Sequence, residues 1–490
     1  MEFKPVHQAI FDRAQAEPDI ACLVDGATQL SYGDFVRRVR QWAAWLGDNE
    51  IAKGDRIAIA MANNADHLAL ILACSATGAV HYSIASGEIA ANQIIIDKFA
   101  IRTIITDGPS DYSNCRAIDL TETRPDQDYR QAALDTPCHG DDPWKIIPSS
   151  GSTGAPKLIL QTQANEIGYH SRMPAWPDFG PLRFLQTIEL KYSWGTRLCV
   201  SVLRAGGKLF MSGETPSMRE TARMLVEHNI THMATTPFHA VNLAKYFAIE
   251  KTSPSSLKYV RLSAAVATTH IQEMVRKHLS PNLWNVYGAN EVGDMTVADP
   301  ALLARLPNSI GVANKGVEIS VVDQHGRECK TGETGLLRAR GYNYPTAYFD
   351  NPEATAKAFR DGWYFPGDLA SIGPGGEVMY RGRADHLMNF DGIKIAPADI
   401  EDALESHPCV QQAVAFAFPH PEHQDVPCVA VTLRTPEREE ELKRFARGKL
   451  AERAPQFVFI VPQIPVKGIG KPDIGALRKL ALERERERSS

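Results

Sequence analysis

The chain has 490 residues and a formal net charge of −5, with no run of Lys and Arg dense enough to follow a nucleic acid. That length exceeds what one hydrophobic core organises, so at least two domains of unequal size are expected. Eight cysteines (22, 74, 115, 138, 199, 329, 409 and 428) show no C-x-x-C pair and no zinc-finger spacing, and they read as buried thiols of a reducing compartment. The N-terminus lacks the apolar centre of a signal peptide, and the longest apolar run, "LALILACSATGAV", is too short for a bilayer. A cytoplasmic protein without a membrane span or a nucleic-acid partner is expected.

In chain order, "LSYGDFVRRVRQWAAWLGDN" predicts an amphipathic helix capped by Ser31, with Phe35, Val39, Trp42 and Leu46 on one face and its end near Gly47. "RIAIAM" reads as a buried strand, "ADHLALILACSATG" as a helix and "AIRTIITD" as the next strand. The alternation resumes with "RFLQTIE" (strand), "LCVSVLRAG" (helix), "KLFMSG" (strand), "TARMLVEHN" (helix), then strands "ITHMATTP", "SLKYVRLSAAV" and "NLWNVYG". Such βα repetition predicts largely parallel sheets between helices. From about residue 315 the pattern changes to "VEISVVDQHGREC" and "GETGLLRARG", antiparallel strands joined by Gly-containing turns. Beyond Arg383 to Asp385 lie about a hundred residues with their own apolar set, including strands "QAVAFAF" and "PCVAVTLR" and helix "REEELKRFARGKLAE". The expected division is 1–384 and 385–490. The terminal "LERERERSS" alternates charge as a solvated helix end does.

The segment "IPSSGSTGAPKLIL" (147–160) joins two apolar stretches through residues nearly devoid of large side chains. Its backbone N–H groups are free to form an anion-binding nest. Ser149, Ser150, Ser152 and Thr153 add hydroxyl donors, Gly151 and Gly154 permit close approach, and Lys157 adds a point charge. The alternative is a flexible surface loop. A P-loop kinase or ATPase fits badly, because Lys157 follows Pro156 and precedes Leu158 instead of opening a helix after Gly-Lys-Ser/Thr.

Four further segments accompany the loop: "NVYGANEVGD" with Glu291, "WYFPGDLA" with Asp368, "YRGRADHLMNFDGIKIAP" with Arg383 and Asp385, and "PVKGIGKPDIGALRK" with Lys471. Taken singly, Glu291 reads equally as a helix cap, Asp368 as a turn residue, Arg383 and Asp385 as a surface ion pair, and Lys471 as a solvated lysine. In this order and spacing, the segments resemble the adenylate-forming ANL superfamily: acyl- and aryl-CoA synthetases, adenylation domains of nonribosomal peptide synthetases, and luciferases. "SSGSTGAPK" is similar to the family phosphate loop, "YGANE" to its Tyr-Gly-x-Thr-Glu motif, "YFPGD" to Tyr-x-Thr-Gly-Asp, "GRADHLMNFDGIKIAPADIE" to the hinge and "GIGKPD" to the C-terminal Gly-Lys motif. "LSYGDF" and "GETGLLRARG" match weaker structural signatures, and the resemblance covers nearly the whole chain.

The resemblance implies an α/β fold: a large N-terminal AMP-binding domain with a β-rich subdomain, and a small mobile α+β C-terminal domain carrying the catalytic lysine. It implies that a carboxylate attacks the α-phosphorus of ATP and expels pyrophosphate, chemistry that rests on positioning and positive charge without a protein nucleophile. The loop and Lys157 would hold the β- and γ-phosphates, Glu291 would bind Mg2+, and Asp368 the ribose hydroxyls with Arg383 assisting. Tyr287 would pack near adenine, Asn285 would meet its edge, Gly288 and Asn290 would complete the nucleotide contacts, and Lys471 would be the catalytic lysine. Asp385 would be the hinge between an adenylating and a thiol-accepting pose. Asn290 and Pro366 stand where the family usually has hydroxyl residues. Asp391 stands in a hinge stretch where many relatives have Lys, leaving Lys394 for the thioester step.

Amino-acid-activating relatives carry an Asp after the phosphate loop; here "IELKYSWGTRLCV" has none at Tyr192-Ser193-Trp194-Gly195, so an acid without an α-amino group is expected. Glu189 keeps an amine-bearing substrate open. Tyr192 and Trp194, with Phe238, His239, Ser263, Ala264, Ala265 and Ala289, would line the acid pocket, the alternative being that the aromatics are simply core. With no carrier or condensation domain after residue 490, coenzyme A is the expected acceptor. The alternative is the phosphopantetheine of a carrier protein, and nothing singles out luciferase chemistry.

Overall fold

The structure is a computed structural model and describes residues 3–84, 89–134, 137–149, 157–213, 216–391, 393–420, 424–467 and 471–489. Two sheets organise the first 383 residues. One has six strands in the order Arg116–Asp119, Thr103–Thr106, Arg56–Ala60, Val80–Ser83, Pro143–Ser149, Lys157–Thr162. All its neighbours are parallel except the last pair, an antiparallel hairpin whose connection is the glycine-rich segment. The other begins with the Ala21–Asp25/Thr28–Ser31 hairpin and continues parallel through Lys208–Met211, Arg183–Gln186, His232–Thr235, Tyr259–Leu262 and Leu283–Ala289. There its direction reverses: Leu283–Ala289 pairs antiparallel with Gly293–Ala298, and every later pairing along this sheet is antiparallel.

The parallel half has helices on its faces because parallel neighbours require a crossover. The strands His232–Thr235 and Tyr259–Leu262 are buried at every position, so neither shows the alternation of a half-wet strand. Two crossovers, the helices Pro237–Glu250 and Thr269–His278, are absent from the elements read off the sequence, which ran strand to strand there. Tyr32–Asp48 forms the expected helix. Ser31 and Asp34 complete a reciprocal capping box at its start, and Phe35, Val39, Trp42 and Leu46 are fully buried. All eight cysteines are free thiols; Cys22, Cys74, Cys199 and Cys428 are buried, and the other four are only partly so.

After the short 3-10 turn Ala384–His386 the chain builds a separate five-stranded sheet. Alternation along Val410–His420 and Gln424–Leu433 divides its core. Ala413, Ala415, Val429 and Val431 pack under the helices Pro397–Glu405 and Glu439–Leu450, while Val414, Phe416, Cys428 and Ala430 face Leu477 and Ala481 of the helix Ile474–Ser489. The terminal charge run lies in that last helix.

Glu401 and Glu405, one turn apart on Pro397–Glu405, face this sheet: Glu401 Oε1 accepts the Ala415 N–H at 2.9 Å and Glu405 Oε1 the Ala413 N–H at 3.0 Å. Burial pushes Glu401 up to about 8 and Glu405 up to about 7, against the opposing effect of those N–H donors. The fold thus favours both carboxyls neutral. Their stabilising contribution is fully present below the ordinary value of 4.5 and is lost as pH rises through the folded values. Unfolding midpoints of the whole chain should therefore fall between about pH 6 and 9, and less steeply in Glu401→Gln. An identical slope in the variant would contradict this assignment.

Candidate active site

The reversal of the large sheet gathers the motif residues. Asp368 opens the strand Asp368–Ile372 and is in register opposite Arg383, the last residue of Val378–Arg383. Arg383 Nη1 lies 3.3 Å from Asp368 Oδ1 and donates to the Pro366 carbonyl at 2.7 Å. Pro366, where the family usually has a hydroxyl, thus contributes its backbone oxygen. Gly367 adopts φ +83°, and a Cβ there would stand 2.9 Å from Arg383 Nη2; the left-handed turn favours glycine, and a side chain would also displace the guanidinium.

From Leu283–Ala289, further along the same sheet, Tyr287 donates its hydroxyl to Asp368 Oδ2. Asp368 is only 7% exposed. Burial raises its pKa, and Asp385 adds to that, while Tyr287 and Arg383 oppose it by stabilising the carboxylate. Burial, then Asp368, holds the Tyr287 hydroxyl well above its ordinary value, so it remains a donor. The carboxylate accepts one bond on each oxygen and retains lone pairs for further donors such as a vicinal diol.

Glu291 follows the bulge at Tyr287/Gly288 and is equally buried, at 7% exposure. Its Oε1 accepts the Tyr348 hydroxyl at 2.8 Å. Tyr364 and Ser149 lie in the same hydroxyl cluster, and burial, then Glu291, keeps both phenols protonated by raising their pKa. On the other side of Tyr348, Lys157 Nζ sits 5.4 Å from the ring centroid. The two ends of the glycine-rich hairpin, Ser149 and Lys157, thus meet the Glu291 carboxylate around one tyrosine. Ser150, Gly151, Ser152, Thr153 and Gly154 lie outside the described residues. Asn290, where the family usually has Thr, donates to the Pro148 carbonyl at 3.3 Å, so its amide ties the Glu291 turn to the start of that hairpin. Tyr348 escaped the sequence reading because it lies 57 residues from Glu291 in a stretch without motif character.

Glu291 fits a magnesium ion of the nucleotide-bridging kind: its carboxylate is oriented by Tyr348 and Tyr364, and magnesium is commonly held by one or two carboxylates with substrate phosphates completing its shell. Among the described residues no group of three or more His, Cys, Asp or Glu could hold a metal alone.

Tyr192 and Ser193 open the helix Ser193–Arg204 and line a cavity with Asn290, Lys145 and His81. Trp194 packs against the first core cluster, so of the two aromatics Tyr192 is the cavity-lining one. Phe238 is 45% exposed and lies in the first turn of the helix Pro237–Glu250 beside the half-buried His239, whose pKa burial lowers. Ser263 donates to the Val286 carbonyl at 2.7 Å, and Ala264 holds φ +74° at the next position, a conformation costly for a residue with a side chain. Asn285 is buried and pairs with Ala298, while the half-buried Ala289 pairs with Gly293.

Asp385 forms a two-bonded ion pair with Arg383, at 2.9 and 3.1 Å. Across the same junction, Arg381 Nη1 approaches Asp402 Oδ2 at 3.7 Å and Gln411 meets His270 at 3.0 Å. The backbone of Lys394 pairs with Asn389, and that of Lys471 with Lys467. The side chains of Lys394 and Lys471 lie outside the described residues.

At Gly288 two backbones approach closely: a Cβ there would stand 2.4 Å from the Gly293 carbonyl oxygen. Gly288→Ala should destabilise the protein by roughly 1–3 kcal/mol in denaturant unfolding; a change inside about 0.5 kcal/mol would contradict the close approach.

The family model of AMP-binding enzymes matches residues 10–349, and that of the AMP-binding enzyme C-terminal domain matches residues 399–471. The chain is 26% identical to 2-hydroxy-7-methoxy-5-methyl-1-naphthoate–CoA ligase of Streptomyces carzinostaticus, covering 96% of this chain and 92% of that protein. It is 27% identical to 2,3-dihydroxybenzoate–AMP ligase of Bacillus subtilis, over 96% and 93% of the two chains. It shares its fold with o-succinylbenzoate CoA synthetase of Bacillus subtilis, solved with the acyl-adenylate intermediate, at a TM-score of 0.84 and 20% identity over 98% and 99% of the chains. On the strength of both matched regions, the chain belongs to the family of AMP-binding enzymes.

Proposed function

We propose that this enzyme joins a carboxylic acid lacking an α-amino group to coenzyme A by way of an acyl-adenylate. The observation that supports it most is the meeting of Asp368, Tyr287 and Arg383 on one side of the sheet reversal with Glu291, Lys157 and Ser149 on the other. Asp368 would accept from the ribose hydroxyls, and Lys157 with the glycine-rich loop would hold the β- and γ-phosphates. Mg2+ held by Glu291 would supply charge neutralisation across the phosphate oxygens. In the first half-reaction a substrate carboxylate oxygen bonds to the α-phosphorus as the bond to the bridging oxygen breaks, and pyrophosphate leaves with that electron pair. In the second, a thiolate sulfur bonds to the acyl carbon and AMP leaves.

Lys471 is proposed as the cation that meets the developing charge in the first step, and Lys394 as a contributor to the second. We place the boundary between the two units at residues 384 and 385, with Asp385 as the pivot. The ordering of cores supports this, since the C-terminal clusters draw only on residues from Met388 onward. Rotation there would exchange one set of junction contacts for another.

The lack of an aspartate near Tyr192 supports an acid without an ammonium group. Glu189, the other carboxylate of that segment, is 2.7 Å from Lys191 and is already paired with a cation. The names of two relatives, a CoA ligase and an AMP ligase for hydroxylated aromatic acids, support an aromatic acid, and carrier-bound phosphopantetheine, whose thiol arm is chemically the same, is the second acceptor. No helix among the described residues is long and apolar enough to cross a membrane. The eight free thiols support a cytoplasmic location.

The test is acid-dependent exchange of labelled pyrophosphate into ATP over aromatic, short, medium and long acids, followed by addition of coenzyme A or a carrier protein to the best acid. Exchange with at least one acid and thioester formation with coenzyme A are expected; no exchange with any acid would overturn the reading. Lys471→Ala should lower adenylation by orders of magnitude, about a hundredfold or more, while thioester formation from supplied acyl-adenylate falls far less. Equal losses in both half-reactions would remove Lys471 from the first step.

A further inference from the structure

Beneath Tyr192 is a cavity of about 40 Å3, lined among others by Lys145, His81, Ser193 and Asn290, with room for one group the size of a hydroxyl or carboxylate. Three polar atoms of its lining are unsatisfied. Lys145 Nζ, His81 Nε2 and Ser193 Oγ are all buried and make no hydrogen bond among the described residues. Three such atoms around one cavity are unusual, since buried polar groups are nearly always paired.

The sequence places them by register. Lys145 lies on Pro143–Ser149, the strand that leads into the glycine-rich segment, and pairs with His81 on the parallel neighbour. Ser193 is the first residue of its helix, whose N-cap Tyr192 makes no side-chain cap bond, so the positive end of the helix dipole adds to the same space.

Charge in the layer below is unbalanced. Glu166 is fully buried and lies 3.1 Å from Arg197 Nε but 3.8 Å from Lys145 Nζ, so one carboxylate faces two cations. Arg204, on the helix of Arg197, also interacts with Glu166. His170 stands 3.6 Å from Glu166, and burial lowers its pKa. Burial, then Lys145, holds His81 well below its ordinary value, so both imidazoles are neutral and neither adds to nor offsets the excess. Asp294, the other buried carboxylate of this layer, is taken by Arg261 at 2.6 Å. Lys145, only 3% exposed, is brought by burial to about 8 although Glu166 opposes the shift, and it remains largely protonated at neutral pH. A buried ammonium whose one carboxylate is shared with Arg197 is only partly compensated, and a further anionic partner would lower that cost.

We propose that this cavity receives an anionic substituent of the substrate acid, a second carboxylate or an ionised ring hydroxyl, with Lys145 as its cationic partner and Ser193 and His81 as hydrogen-bonding partners. The inference rests on the acid-activation reading and narrows it: the preferred acid carries a second charged oxygen group besides the carboxylate that is adenylated. Lys145 is thereby a specificity-determining residue, distinct from the phosphate-binding Lys157.

The experiment is pyrophosphate exchange with matched acids: benzoate against hydroxybenzoates and benzenedicarboxylates, and aliphatic monocarboxylates against dicarboxylates of equal length. The wild type should favour the substituted member of at least one pair by about tenfold or more in kcat/KM. The winning pair distinguishes hydroxyl from carboxylate. Lys145→Met should erase that ratio, a change that a purely structural lysine would not produce. Ser193→Ala, a smaller alteration of the same cavity, should reduce the ratio and decides the matter if Lys145→Met does not fold. A wild type indifferent to the substituent, or a ratio preserved in both variants, overturns the proposal while leaving acid activation standing. Exchange with no acid at all overturns acid activation itself.

Discussion

Tyr287 donates a hydrogen bond to Asp368 across the place where the large sheet turns from parallel to antiparallel, and the candidate site depends on that contact. The parallel half supplies buried strand ends; the antiparallel half supplies Asp368 and Arg383 from one hairpin. They meet because Leu283–Ala289 belongs to both halves, parallel to Tyr259–Leu262 on one side and antiparallel to Gly293–Ala298 on the other. Gly288 lets the two backbones close at the reversal. A site assembled in this way is held by sheet hydrogen bonds on both flanks, which is the rigidity that electrostatic positioning requires.

Buried charge organises the surroundings. Asp368 has Tyr287 and Arg383, Glu291 has Tyr348, and Asp294 has Arg261. In each case a donor offsets the desolvation of a carboxylate, and removing one member of such a pair typically costs about 3–5 kcal/mol. The Glu166 layer differs in having cations to spare. Balanced groups suit a framework, whereas an excess of one sign at a cavity suits a ligand of the other sign.

Much of the scaffold was legible in the sequence because its signals are local. Ser31 with Asp34 marks a helix start, the Phe35-Val39-Trp42-Leu46 spacing marks its buried face, and both are as read. The change of pattern near residue 315 falls inside the antiparallel half, two strands after it opens with Gly293–Ala298 and Ser309–Ala313. The crossover helices Pro237–Glu250 and Thr269–His278 were missed, the first because its apolar residues are spread around the helix and its "FHAVNLAKYF" reads as core without a strong face. Motif residues such as Asp368, with its partners Tyr287 and Arg383, and Glu291 were found by resemblance, but the tyrosines around Glu291 were not. Tyr348 and Tyr364 reach Glu291 only through the fold. Lys145 and Glu166 were overlooked because a single charge inside an apolar strand or a short helix carries no spacing pattern; only burial reveals it.

The account's central assertion is that the α-phosphorus of ATP is the atom attacked. Analysis of the nucleotide formed when the enzyme consumes ATP with magnesium, an accepted acid and coenzyme A tests it most directly. AMP and pyrophosphate in equal amounts, matched to the thioester produced, are the result expected; ADP with orthophosphate or a phosphorylated acid would contradict it.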